Sequence, residues 1–199
     1  TRLMVYDGLS KSGALPPREL EVVDMETGGK GLRVMLRDGD ELWLAPNTSG
    51  LPKEGATERL KVKYTSNGVK LCNGWLHCTT VKEGQKVVLG RGDLGMRSEY
   101  VSGKHVEVEV RREYVNGEYR LVAWVRDVGS ANGTVVHGQD GDYVIYAGRA
   151  SERAPVAGIP PQGYGIRTPH EVRAYVGNID LRLPHAAPAA RLATAGIKV

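Results

Sequence analysis

An all-β sandwich is the fold this sequence predicts, and three observations predict it. Glycine and proline punctuate the chain densely, with Gly 26 and Pro 10 among 199 residues. Short runs alternate polar with apolar, or are apolar throughout, and no long helical periodicity interrupts them. The composition, 41% hydrophobic and 25% charged, belongs to a chain that folds around a core.

Taken in order, the first segment, residues 1–55, reads as a β extension of the main domain or a small subdomain of its own. Glu19–Val23 and Leu32–Leu36 are expected strands, separated by the glycine turn TGGKG at Thr27–Gly31. GGKG lacks the full spacing of a nucleotide loop and opens no helix, so it is read as a turn. Arg37-Asp38-Gly39-Asp40 carries a hairpin signal, because Asp-Gly readily supplies the positive φ of a tight β turn; Leu42–Leu44 is then the return strand. Asn47–Pro52 reads as a linker.

Residues 56–185 carry the sandwich. In Arg59–Thr65 the apolar Leu60, Val62 and Tyr64 alternate with Arg59, Lys61 and Lys63. Asn67-Gly68 and Asn116-Gly117 are turn signals. His105–Val110 places Val106, Val108 and Val110 on one face, and Leu121–Val125 is apolar on both faces, as a central strand must be. The 148–169 stretch is a long basic loop with Arg149, Arg153 and Arg167. The Ala-rich residues 186–199 read as a tail, with helix allowed after Pro188.

Charge narrows the partners little. The formal net charge is +4, and residues 148–199, with seven Lys/Arg and three Asp/Glu, account for all of it. A nucleic-acid protein usually shows a denser basic stripe. No apolar run approaches the about 20 residues needed to span a bilayer, and TRLMVYDG lacks the pattern of a secretory signal. Cys72 and Cys78 would stand ~20 Å apart on one extended strand, beyond the ~7 Å reach of a disulfide. Unless the chain folds back at Asn73-Gly74, reduced packed thiols are expected, in keeping with a cytoplasmic protein. Zinc lacks a second ligand pair at finger spacing.

Three polar clusters between strands then stand out: Gly90-Arg91, Ser102-Gly103-Lys104-His105, and Asp127-Val128-Gly129-Ser130-Ala131-Asn132-Gly133-Thr134. The succession GR, SxxH and DxGSxNGT resembles the forkhead-associated (FHA) domain, a β-sandwich that binds phosphothreonine peptides. The chain end HEVRAYVGNIDLRL, residues 170–183, is similar to that family's closing hairpin. The resemblance implies an FHA-like β-sandwich with additional N-terminal strands. It also implies that Arg91 and Ser102 contact phosphate, that Gly103 and Lys104 line the same loop, and that Asn132 binds the peptide main chain. Gly90, His105 and Gly133 are structural in that family.

Elementary chemistry asks for the same set. A phosphothreonine carries nearly two negative charges and three strong acceptor oxygens. An Arg fork, a hydroxyl and backbone N–H groups converging on one point answer it. Two positions depart from the family pattern, since Gly103 and Ala131 stand where polar side chains are common. Each missing hydrogen bond costs about 1 kcal/mol, roughly fivefold in affinity.

The function expected is therefore a non-catalytic, cofactor-free module that recognises a phosphothreonine-containing protein or peptide. It would serve Ser/Thr kinase signalling or phospho-regulated assembly. An FHA-like structural protein binding partners without phosphate is the second reading, and a nucleic-acid-associated adaptor the third. Nucleotide loops, HExxH and nucleophile elbows, the usual marks of an enzyme, do not occur.

Overall fold

The computed structural model describes residues 2–6, 17–24, 30–46, 57–115, 117–139, 141–146, 164–167, 173–176, 181–182 and 196–198. The strands are β1 (Arg2–Tyr6), β2 (Arg18–Asp24), β3 (Lys30–Leu36), β4 (Glu41–Leu44), β5 (Glu58–Thr65), β6 (Gly68–Asn73), β7 (His77–Val81) and β8 (Lys86–Leu89). After a 3-10 turn at Asp93–Gly95 come β9 (Val106–Val115), β10 (Glu118–Asp127), β11 (Thr134–Gly138) and β12 (Gly141–Tyr146). β13 (Tyr164–Arg167), β14 (Arg173–Val176), β15 (Leu181–Arg182) and β16 (Gly196–Lys198) complete the set. They form two sheets, ordered β16-β1-β2-β3-β10-β9-β8 and β15-β14-β13-β12-β11-β4-β5-β6-β7. No helix among the described residues is long and apolar enough to cross a membrane.

The N-terminal strands are built into both sheets. β3 pairs with β10 through Val34↔Val125 and Leu36↔Ala123, and β4 pairs with β11 through Leu42↔Val136. The segment Arg37–Asp40 is therefore not the hairpin that Asp-Gly advertised. It is a corner that carries the chain from one sheet to the other, because Leu36 and Leu42 both bury in the core between them. The corner bonds to β5 instead, with Gly39 N–H donating to Val62 O at 2.9 Å and Val62 N–H to Asp40 O at 2.8 Å. Gly39 does take the positive φ, +86°.

Alternation sorts the faces as expected. Val106, Val108 and Val110 of β9 meet Leu60, Val62, Val69 and Leu71 of the opposite sheet in one core. Tyr64 spans the layers: its hydroxyl donates to Leu36 O and accepts from Ala123 N–H, and burial raises its pKa. β10 is central, and its second apolar face presents Trp124, fully covered. Above that ring lie the guanidinium groups of Arg2 and Arg111, at 5.1 and 5.5 Å. The buried Arg18 donates to Asp40 Oδ2 at 2.5 Å and to Met35 O at 2.8 Å, and it stacks over Tyr143 at 4.9 Å. A buried charge needs such partners, and here they lock β2 to the sheet-crossing corner.

Three expectations are corrected, and a fourth holds. β13 lies inside the stretch 148–169 read as a loop, and it pairs with β12. β14 and β15 form the hairpin expected within 170–183, at the outer end of the nine-stranded sheet. Within the 186–199 tail, Gly196–Lys198 is a strand on β1. Cys72 and Cys78 are joined by a disulfide, their Cα atoms 4.1 Å apart. The chain folds back at Gly74, φ +66°, so that Cys72 and Cys78 become cross-strand partners of β6 and β7. The separation along one strand no longer applies, and the cysteines lend no support to a reducing compartment.

Candidate functional site

The site begins with a glycine that admits no side chain. A Cβ on Gly90 would stand 2.2 Å from Gly103 O and 2.3 Å from Ser102 O. The end of β8 thus runs directly against the loop that precedes β9. That contact is sewn by backbone bonds: Arg91 N–H donates to Ser102 O and His105 N–H to Leu89 O, both at 3.0 Å. Asp93 Oδ2 accepts from Gly90 N–H at 2.9 Å and closes the turn that carries Arg91. The Arg91 side chain is exposed and, among the described residues, makes one hydrogen bond, a 3.4 Å contact to Glu99 O.

The second loop is held from beneath by His105, which is fully buried. Its Nδ1 accepts from Ser102 N–H at 3.1 Å. Nε2 must then carry the proton, and it donates to Gly133 O at 2.7 Å. Burial lowers the pKa of the imidazole, opposed by the charge of Asp127 and by the bond to Gly133. The neutral ring is the form these two bonds require.

Asp127, at the end of β10, organises the third loop. Its Oδ1 accepts from Gly129 N–H at 2.9 Å and Ser130 N–H at 2.7 Å. Its Oδ2 accepts from Ser130 Oγ and from Thr134 Oγ1, the latter at 2.8 Å. Ser130 Oγ in turn accepts from Gly133 N–H at 3.0 Å. Gly133 takes φ +81°, a value suited to glycine, and its carbonyl also receives Ala45 N–H at 3.1 Å. The N-terminal strands therefore reach the back of the site.

Across the gap between the second and third loops, Ser102 Oγ accepts from Ala131 N–H at 3.1 Å. Among the described residues its hydroxyl proton has no acceptor. Asn132 is mostly buried, and its Nδ2 donates to Tyr100 O at 2.8 Å. Gly103 and Lys104 are exposed at the loop tip, where a Cβ on Gly103 would meet nothing within 4 Å. Lys104 has no ion pair among the described residues. Arg91, Ser102 and Asn132 thus sit on three loops joined to one another, with Gly103 packed by its carbonyl against Gly90 and Lys104 exposed at the same end.

The roles of Asp127, Ser130 and Thr134 were not foreseen, although all three lie in the quoted DxGSxNGT run. Glu58 was missed outright: its Oε1 accepts from Arg97 N–H at 3.0 Å and Ser98 N–H at 3.2 Å, anchoring the loop that leads to Ser102. A partner some 40 residues away in sequence leaves no local signal.

Residues 87–145 match the family model described as FHA domain. No curated protein and no solved structure matches the chain.

Proposed function

We propose that the chain binds phosphothreonine peptides across the three joined loops, a reading supported by the match of residues 87–145 to the FHA domain, a family of phosphoprotein-recognition modules. The observation that carries this reading is the seam at Gly90, which sets Arg91 against the Ser102 loop at bonding distance. Arg91 supplies the planar cationic fork, Ser102 Oγ–H a donor, and Lys104 a second positive charge with no carboxylate partner among the described residues. Asn132 stands one residue beyond the Ala131 N–H that touches Ser102, in place to grip the peptide main chain.

The bound partner is a phosphorylated protein downstream of a Ser/Thr kinase, and the module acts by bringing that partner to whatever else the complex contains. A second reading, phosphate-independent assembly, is favoured by one observation: the Asn132 amide nitrogen is already engaged by Tyr100 O. Titration of the full chain with matched phosphorylated and unphosphorylated threonine peptides separates the two. Preference for the phosphorylated member of each pair is the expected result; equal affinity would sink the phosphothreonine assignment.

A further inference from the structure

Beyond the three loops, the same end of the molecule bears a hairpin tip with an unusual exposure of apolar surface. Trp75 and Leu76, between β6 and β7, are 89% and 77% exposed. The Cys72–Cys78 disulfide clamps the hairpin immediately below them. This tip abuts the turn that carries Arg91: Asn73 Nδ2 donates to Leu94 O at 2.9 Å, and the His77 ring lies 3.1 Å from the Cβ position of Gly95.

From the tip, a groove of about 400 Å³ runs over the outer face of β5 and β6, lined by Trp75, Lys61, Lys63 and Lys70 among others. Lys63 and Lys70 are direct cross-strand partners, and Lys61 stands opposite Cys72. Like charges placed opposite one another destabilise a sheet unless something neutralises them. Among the described residues no carboxylate pairs with any of the three. On the other sheet, by contrast, Arg33, Arg111 and Arg126 are each paired with glutamates. Glu41 stands opposite Lys61 on β4 and Asp38 also lines the groove, so the excess of positive charge lies at Lys63 and Lys70, an electrostatic track leading away from the Ser102 loop.

We infer that this lysine row and Trp75 extend the peptide groove, and that the preferred ligand is a phosphothreonine peptide with an acidic segment and an apolar residue on one flank. The inference rests on the proposed phosphothreonine site. From the Arg91 turn to Lys70 is roughly 20 Å, so an extended peptide reaches the row within roughly six residues of the phosphate. An anionic membrane is a poorer fit, because the lysines lie on the flat sheet behind the tip and not around it.

The test uses the full chain and four synthetic peptides: phosphorylated or not, each with neutral or with glutamate-rich flanks, on either side of the threonine. Three new ion pairs should tighten binding of the acidic phosphopeptide about tenfold over the neutral one. That ratio should fall to about one in the triple variant Lys61→Gln/Lys63→Gln/Lys70→Gln, with circular dichroism reporting the fold. Trp75 emission should shift to the blue when the acidic phosphopeptide binds, and the shift should vanish in Trp75→Phe. Equal affinity for acidic and neutral flanks overturns the extended groove, while a persisting phosphate preference would leave the loop site standing. A glutamate-dependent gain without phosphate preference would instead retire the loop site and keep the acidic track. Binding to phosphatidylserine vesicles lost in the triple variant, without any flank effect, would overturn the inference in favour of a membrane.

Discussion

His105 Nε2 lies 2.7 Å from the carbonyl oxygen of Gly133, and this buried bond ties the second loop of the candidate site to the third. The same ring accepts from Ser102 N–H, so one neutral imidazole sets the relative position of the residues on either side of the gap. Burial holds its pKa below the ordinary 6.5. As pH falls, the unfolded chain therefore takes up its proton before the folded one does. Stability contributed by the neutral ring is fully present above 6.5 and declines from there down toward the folded pKa. Denaturant midpoints measured at about pH 7.5 and 5.5 should fall more for the native chain than for His105→Gln, which should itself lose about 1–3 kcal/mol at the higher pH.

Arg91→Ala should weaken binding of a phosphothreonine peptide by at least ~2 kcal/mol, roughly 30-fold. Its melting temperature should not change, because the side chain is exposed and, among the described residues, holds only a long contact to Glu99 O. Calorimetric titration alongside a thermal scan checks both halves of the statement.

Gly90→Ala should behave in the opposite way. The added methyl would collide with two backbone oxygens, at 2.2 and 2.3 Å, that belong to the loop it must lie against. Overpacking against main chain cannot be relieved by a rotamer change, so a loss of about 3 kcal/mol is expected in urea unfolding.

The corner between the sheets depends on one buried charge pair. Asp40 accepts from Arg18 Nη1 at 2.5 Å and from Arg37 N–H at 2.7 Å. Asp40→Ala removes the carboxylate that faces the buried Arg18 guanidinium and should cost about 3–5 kcal/mol. Replacing both residues with apolar ones should recover part of that loss, which a double-mutant cycle would measure.

Reducing the Cys72–Cys78 bridge should lower stability by about 2 kcal/mol, the loop-closure value for so short a ring. The core would stay intact, since neither sulfur belongs to it. Unfolding with and without a thiol reductant provides the comparison.

Much of this molecule was legible from residue order. Period-two alternation in Arg59–Thr65 and His105–Val110 assigned buried faces, because a strand's side chains have no other periodicity to follow. The three glycine-bearing clusters named the loops, since Gly90, Gly133 and their neighbours are chosen by local contact and backbone angle. Pairing was a different matter. Backbone N–H and C=O groups are the same on every strand, so alternation identifies a buried face without identifying its neighbour. Only the tertiary structure placed β3 beside β10 and β4 beside β11, and it turned Arg37–Asp40 from a hairpin into a corner. It likewise brought Cys72 onto Cys78 and spent the Asn132 amide on Tyr100. Those outcomes depend on which distant segments shared a core, and no local signal records that. What the sequence alone determined is the chemistry of the loops: a cation, a hydroxyl and an amide, with the glycines that let them meet. Where they meet, and that Lys63 and Lys70 face each other across β5 and β6, was decided by packing across the whole chain.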